Sequence, residues 1–138
     1  MNMDGCIDFK TTRYDLQRFQ ALTVGYPVVM GINTWLSLPK ERLPERECVV
    51  LSRNTNPLGA DYWRQDLKEA MEEFSGGWLI GGAEIYNQGI NDCDMVYMSL
   101  YYNTHGGEKR VTAFNAAQWD MIVKQKFDDH FFMIYAKK

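Results

Sequence analysis

Two places in this chain hold residues whose types and spacing could do chemistry. The first is Gly77-Trp78-Leu79-Ile80-Gly81-Gly82-Ala83-Glu84-Ile85-Tyr86-Asn87-Gln88, where an apolar run of strand type meets two adjacent glycines and a helix-forming segment follows without a linker. Glycines at such a junction let backbone approach a ligand closely. The free N–H groups that open the next helix favour an anion such as a diphosphate. The alternative is a plain tight turn of an α/β domain. The second place is Asp15, which stands with Phe19 and Leu22 at i, i+4 and i+7, so a helix over Tyr14 to Leu22 carries a carboxylate on its apolar face. That is unusual. It reads either as a carboxylate held for a purpose or as a first-turn acid favoured by the helix dipole.

The elements that would position these residues form one domain over 1–138, since 138 residues suffice for a sizeable core without a second unit. With 46% hydrophobic and 14% aromatic residues the chain folds and is not disordered. A net charge of −3 without a cluster of Lys and Arg argues against nucleic acid as a partner. No apolar run approaches the ~18 residues of a membrane span, and the N-terminus lacks the order of a signal peptide. A cytoplasmic protein without a membrane partner is therefore expected. Cys6, Cys48 and Cys93 are odd in number and lack CxxC spacing, so buried free thiols are expected. His105 and His130 show no metal-ligand spacing, and no metal is expected.

In chain order, Asp4-Gly5 reads as a turn, Tyr26 to Gly31 as a buried strand closed by glycine, and Asn33 to Leu38 as a helix stopped by Pro39. Glu47 to Ser52 is a second buried strand, ending in Arg53-Asn54, and 56–59 is loop. Asp66 to Phe74 reads as an amphipathic helix with Asp66 as its cap and Gly76-Gly77 as its terminator. Asp94 to Tyr102 is a strand and 103–110 a polar loop or hairpin. Trp119 to Phe127 and Phe131 to Ala136 alternate as antiparallel strands around Asp128-Asp129. Strands alternating with helices predict a mostly parallel sheet flanked by helices, with an antiparallel C-terminal hairpin. Ligands of such sheets bind beyond the carboxyl ends of the strands. Here those ends are Met30 to Thr34, Leu51 to Asn54 and Ile80 to Ala83, a pattern suited to one extended, phosphate-bearing ligand.

Taken together, these segments resemble dihydrofolate reductase. The resemblance is carried by Pro27-Val28-Val29-Met30-Gly31 with Thr34-Trp35 and Ser37-Leu38-Pro39, by Leu43-Pro44 with Arg46, by Val49-Val50-Leu51-Ser52-Arg53, and by Ile80 to Tyr86, in family order across about 4–138. It implies an eight-stranded α/β fold, NADPH as hydride donor, and reduction of 7,8-dihydrofolate to tetrahydrofolate, a step of one-carbon metabolism and an antifolate target. By position, Asp15 matches the single carboxylate of the pterin pocket and Ser99 the hydroxyl residue supporting it. One acid in an apolar cleft can hydrogen-bond the amidine-like edge of a pterin and favour protonation beside the carbon that receives hydride. Phe19, Leu38, Leu43 and Ile80 match the pocket walls, and Ile7, Ser37 and Tyr86 join them on the substrate side. Arg46 matches the arginine paired with the glutamate tail, for which a guanidinium fork is well shaped. On the cofactor side, Gly81, Gly82, Ala83, Glu84 and Ile85 match the diphosphate turn, where the family has a cis Gly-Gly bond. Gly31, Asn33 and Thr34 match the second phosphate-facing segment, and Leu51, Ser52 and Arg53 the 2′-phosphate segment. Ile80 and Tyr86 border both ligands.

Departures from the family pattern set further expectations. Ile32 stands where the family usually has a basic residue, which leaves Arg53 to hold the 2′-phosphate and implies a reduced preference for NADPH over NADH. Met3-Asp4-Gly5-Cys6-Ile7 matches the turn after the family's first strand, so that central strand is expected to be shortened or missing; a stub supplied by Met1 to Ile7 is the favoured reading, and strand addition or swapping by a partner chain is the alternative. The loop before Asp15 lacks the family's Pro-Trp pair, and the C-terminal hairpin is short. The expected result is a minimised member of the kind compact viral genomes carry, monomeric, with an open site, loosely held cofactor and weaker antifolate binding. Two other readings compete: a fold-retaining assembly or nucleotide-binding protein with little turnover, and a related reductase acting on another pterin or a pyrimidine.

Overall fold

The computed structural model describes residues 3–7, 20–37, 46–53, 59–101 and 115–138, and of 3–7, 99–101 and 116 it gives the backbone course. In chain order the elements are β1 (Met3–Ile7), β2 (Val28–Gly31), α1 (Ile32–Ser37), β3 (Cys48–Leu51), β4 (Tyr62–Arg64), α2 (Leu67–Glu73), β5 (Gly77–Leu79), α3 (Ala83–Gly89), β6 (Met95–Tyr101), β7 (Trp119–Lys126) and β8 (His130–Lys137). Residues 20–23 are also helical. The strands form one eight-stranded sheet in the order β4-β3-β2-β5-β1-β6-β8-β7. Pairing is parallel from β4 through β6 and antiparallel from β6 through β8 to β7.

The continuous apolar runs become central strands because both of their faces are covered. Val29, Val49, Leu51 and Leu79 point to one layer, where they pack with Leu67, Ala70 and Met71 of α2 and Tyr86 of α3. Val28, Met30, Cys48, Val50, Trp78 and Ile80 point to the other, against Leu22, Ile32 and Trp35. Val28, Val29, Met30, Val49, Val50 and Leu79 are wholly excluded from solvent. Cys48 and Cys93 are free thiols and buried. The hairpin turns at Asp128-Asp129, where His130 Nδ1 lies 2.7 Å from Asp129 Oδ1 and its ring stacks on Phe127 at 4.7 Å.

The structure differs from the sequence reading at two places. Asp4-Gly5 is not a turn: Met3–Ile7 is a five-residue strand at the middle of the sheet. Cys6 aligns with Leu79 of β5 on one side and with Val96 of β6 on the other. Without it, two inner strands would bury unpaired backbone groups, a larger cost than the poor strand propensity of Asp and Gly. The register slips between Met3 and Gly5, the one irregularity in this pairing. The central strand is thus supplied by the chain itself. The second difference is β4, a strand at a place where the sequence reading assigns no element. Val49, Val50 and Leu51 pair with Tyr62, Trp63 and Arg64. Trp63 Nε1 donates to Ser52 O at 2.8 Å, and Arg64 grips Glu73 of α2 through two hydrogen bonds of 2.7 and 2.6 Å.

Candidate functional site

The glycine turn is built from β5 outward. Ile80 N donates to Val29 O at 2.9 Å and Gly31 N donates to Gly81 O at 2.8 Å, which ties the end of β5 to the end of β2. The Gly81–Gly82 peptide is cis and Gly81 has φ of +119°, a conformation that L side chains rarely adopt. The helix α3 then starts at once, with Tyr86 N donating to Gly82 O at 2.9 Å. A side chain at Gly31 would stand 3.1 Å from Ile85 Cγ1, and one at Gly82 would stand 3.5 Å from Thr34 Oγ1. The glycines therefore let the openings of α1 and α3 come together.

These openings belong to a cleft of about 750 Å³ across the carboxyl ends of β2, β3 and β5. Of the residues expected on the cofactor side, Gly31, Asn33, Thr34, Leu51, Ser52 and Arg53 line it. Gly82, Ala83, Glu84 and Ile85 close its opposite wall. Ile80, Gly81 and Tyr86 are the exceptions. They are buried beneath the turn, Ile80 in the cluster with Trp78 and Tyr86 in that with Leu79, where they support the cleft from below.

Five further residues line the cleft that sequence reasoning did not assign to it: Ile32, Gln65, Asp66, Leu67 and Gln88. Three of them follow β4, the strand whose shortness hid it. Gln65 Nε2 donates to Arg53 O at 3.4 Å, so the segments after β3 and β4 are joined at the rim. Asp66 does occupy the cap position of α2, but its side chain makes no cap hydrogen bond. The charged groups of the lining are Arg53, Asp66 and Glu84, all exposed. Among the described residues, the cleft thus carries one cation and two carboxylates.

On the substrate side less is on view. Asp15, Phe19, Leu38 and Leu43 lie outside the described residues, as do the loop before Asp15 and the loop or hairpin expected at 103–110. Ile7 ends β1 opposite Tyr97, and Ser99 pairs with Phe132 between β6 and β8. Ser37 is exposed, its hydroxyl donating to Thr34 O at 2.8 Å. Arg46 is buried, with Nε donating to Thr23 Oγ1 at 2.7 Å and Nη2 to Gln20 O at 2.6 Å. The guanidinium thus locks the helical residues 20–23 to the start of β3. Cys48, next to this contact, has its thiol pushed up to about 11, by burial first and by the Asp61 carboxylate second, against the opposing pull of Arg46. It is a core thiol and no nucleophile at neutral pH. Among the described residues, no group of three His, Cys, Asp or Glu side chains could hold a metal ion, and no helix is long and apolar enough to cross a membrane.

A mostly parallel sheet with a glycine turn between two helix openings defines an α/β domain made to hold an extended, phosphate-bearing ligand. The family model for dihydrofolate reductase matches residues 10–135, and the chain belongs to that family of oxidoreductases. Among curated relatives, the dihydrofolate reductase of Haemophilus influenzae is 29% identical over 119 residues, 84% of this chain and 71% of the relative. That of Bacillus subtilis is 24% identical over 134 residues, 90% of this chain and 80% of the relative. That of Mycobacterium leprae is 42% identical over a shorter stretch of 78 residues, 52% of this chain and 47% of the relative. The fold is also that of a solved dihydrofolate reductase from Enterococcus faecalis in complex with NADP(H) and RAB-propyl, with a TM-score of 0.80 at 18% identity, covering 100% of this chain and 99% of the other.

Proposed function

We propose that this protein reduces 7,8-dihydrofolate to tetrahydrofolate with NADPH as the hydride donor. The observation that carries the reading is the cleft at the ends of β2, β3 and β5, which gathers the glycine turn, the opening of α1 and Arg53 around one space. These residues fit a dinucleotide. The openings of α1 and α3 both line the cleft, and the glycines at Gly31 and Gly82 let them come close enough to flank a diphosphate. Arg53 stands at the rim to pair with a 2′-phosphate, and Ser52 beside it offers a hydroxyl. Bound there, NADPH supplies the hydride.

On the pterin side, Asp15 takes the amidine-like edge of the substrate and favours protonation of the ring nitrogen beside the carbon that is reduced, supported by Ser99. On this reading Phe19, Leu38 and Leu43 are the apolar walls, and Ile7, Ser37, Ile80 and Tyr86 complete the substrate side. Arg46 receives the tail carboxylate, and its bonds to Thr23 and Gln20 fix the fork in place beforehand. The protein works in the cytoplasm, and flat diaminopyrimidine antifolates are ligands of the same pocket.

The test is NADPH consumption followed by absorbance with three substrates: dihydrofolate, a dihydropterin without the glutamate tail, and a dihydropyrimidine precursor. Consumption with dihydrofolate at the lowest KM is expected, with the tail-less pterin weaker. Consumption with the pyrimidine alone would assign the chain to another reductase activity, and binding of NADPH without any consumption would assign it a role without turnover.

A further inference from the structure

The wall after β4 bears on which dinucleotide the cleft prefers, an inference that rests on the cofactor reading just given. Leu51 of β3 pairs with Arg64 of β4 in parallel register, so Arg53 and Asp66 each stand two residues beyond the same rung. Both residues therefore emerge beyond the carboxyl end of the same strand pair. The Gln65 side chain bonds to the Arg53 carbonyl and holds these segments together. Both residues line the cleft. The Asp66 backbone is extended, at φ −114° and ψ 123°, and its carboxylate is not used in capping α2. Among the described residues, the Asp66 carboxylate therefore shares the lining with its one cation, Arg53, where on the cofactor reading the adenosine ribose would pass.

The chemistry of that pairing is opposed. A ribose 2′-hydroxyl donates well to a carboxylate, which is how many dinucleotide sites select the unphosphorylated cofactor. A 2′-phosphate is drawn by Arg53 and repelled by Asp66. Glu84, in the first turn of α3, adds a second negative charge to the lining. Ile32 supplies no balancing cation. We infer that Asp66 is a specificity-determining residue that narrows the preference for NADPH, so that the cleft accepts NADH as a second donor.

Binding rather than turnover gives the clearest test. NADPH and NADH are titrated against the intact protein by quenching of its tryptophan fluorescence, in the wild type and in Asp66→Asn, with Arg53→Ala as the opposing variant. Asn caps a helix as well as Asp does, so the fold survives the change. The wild type is expected to bind the two dinucleotides within about tenfold of one another, and Asp66→Asn to widen the ratio in favour of NADPH by about fivefold to tenfold, the size of one exposed charge contact. Arg53→Ala is expected to move the ratio the other way. If Asp66→Asn leaves the ratio unchanged while the wild type binds both, the role of Asp66 is overturned and the cofactor cleft stands. If the wild type binds neither dinucleotide, the reading of the cleft falls and the inference falls with it.

Discussion

At the scale of single residues, Asp15 is the proposed chemical centre of the substrate side and Cys48 a reporter of the core. On the proposed mechanism, replacing Asp15 with Asn removes the charge that would favour a protonated pterin, while the cofactor cleft is built from other segments. Turnover at neutral pH should fall by at least about a hundredfold, NADPH affinity should stay within about twofold, and activity should partly return in acid, where the substrate takes its proton from water. A normal rate at neutral pH would remove Asp15 from the mechanism. Cys48 contributes to the alkaline loss of stability. Its thiol ionises at about 11 in the fold against 9.0 when free, so the unfolded chain gives up a proton first as pH rises. Its contribution is intact below pH 9 and is lost between 9 and 11, an effect on the order of 2–3 kcal/mol. Urea unfolding of wild type and Cys48→Ala across that range should show the wild type losing the larger stability.

At the scale of elements, what was legible in the sequence depended on burial. β2, β3 and β5 are covered on both faces, so their apolar runs and terminal glycines were plain, and with them the three strand ends that form most of the cleft. Tyr62-Trp63-Arg64 is three residues long and partly exposed, with no period to detect. The residues it delivers to the cleft, Gln65 and Asp66, were hidden with it. The strand stub expected from Met1 to Ile7 is present, but the turn at Asp4-Gly5 is not, for another reason: both are poor strand formers, overruled by the pairing needs of β5 and β6, which no local pattern reports. The β5 start makes its own prediction. A Cβ on Gly77 would lie 2.5 Å from Pro27 O and 3.1 Å from Phe74 O, both backbone atoms unable to move aside cheaply. Gly77→Ala should cost about 1–3 kcal/mol in urea unfolding, since β5 must shift against β2. An unchanged midpoint would mean that the β2–β5 contact is looser than described.

At the scale of the whole molecule, the sheet is closed at its centre by β1, which removes the reason for a partner strand there. Its two outer strands are poor templates for pairing. β4 is only three residues long, and β7 carries a register break between Met121 and Val123 and exposes Lys124 and Lys126. Sedimentation should therefore give a monomer of 16.1 kDa. A stable dimer would mean that strand exchange or edge pairing outweighs these features.

The claim on which the rest depends is hydride transfer to dihydrofolate. It is tested by incubating the protein at high concentration with dihydrofolate and NADPH carrying deuterium at the reactive carbon, then weighing the pterin product. The account predicts tetrahydrofolate with one deuterium for each NADPH oxidised, and a product yield that collapses in Asp15→Asn at neutral pH. NADPH bound to saturation with dihydrofolate recovered unchanged would contradict it, leaving a chain that keeps the family's fold without its reaction.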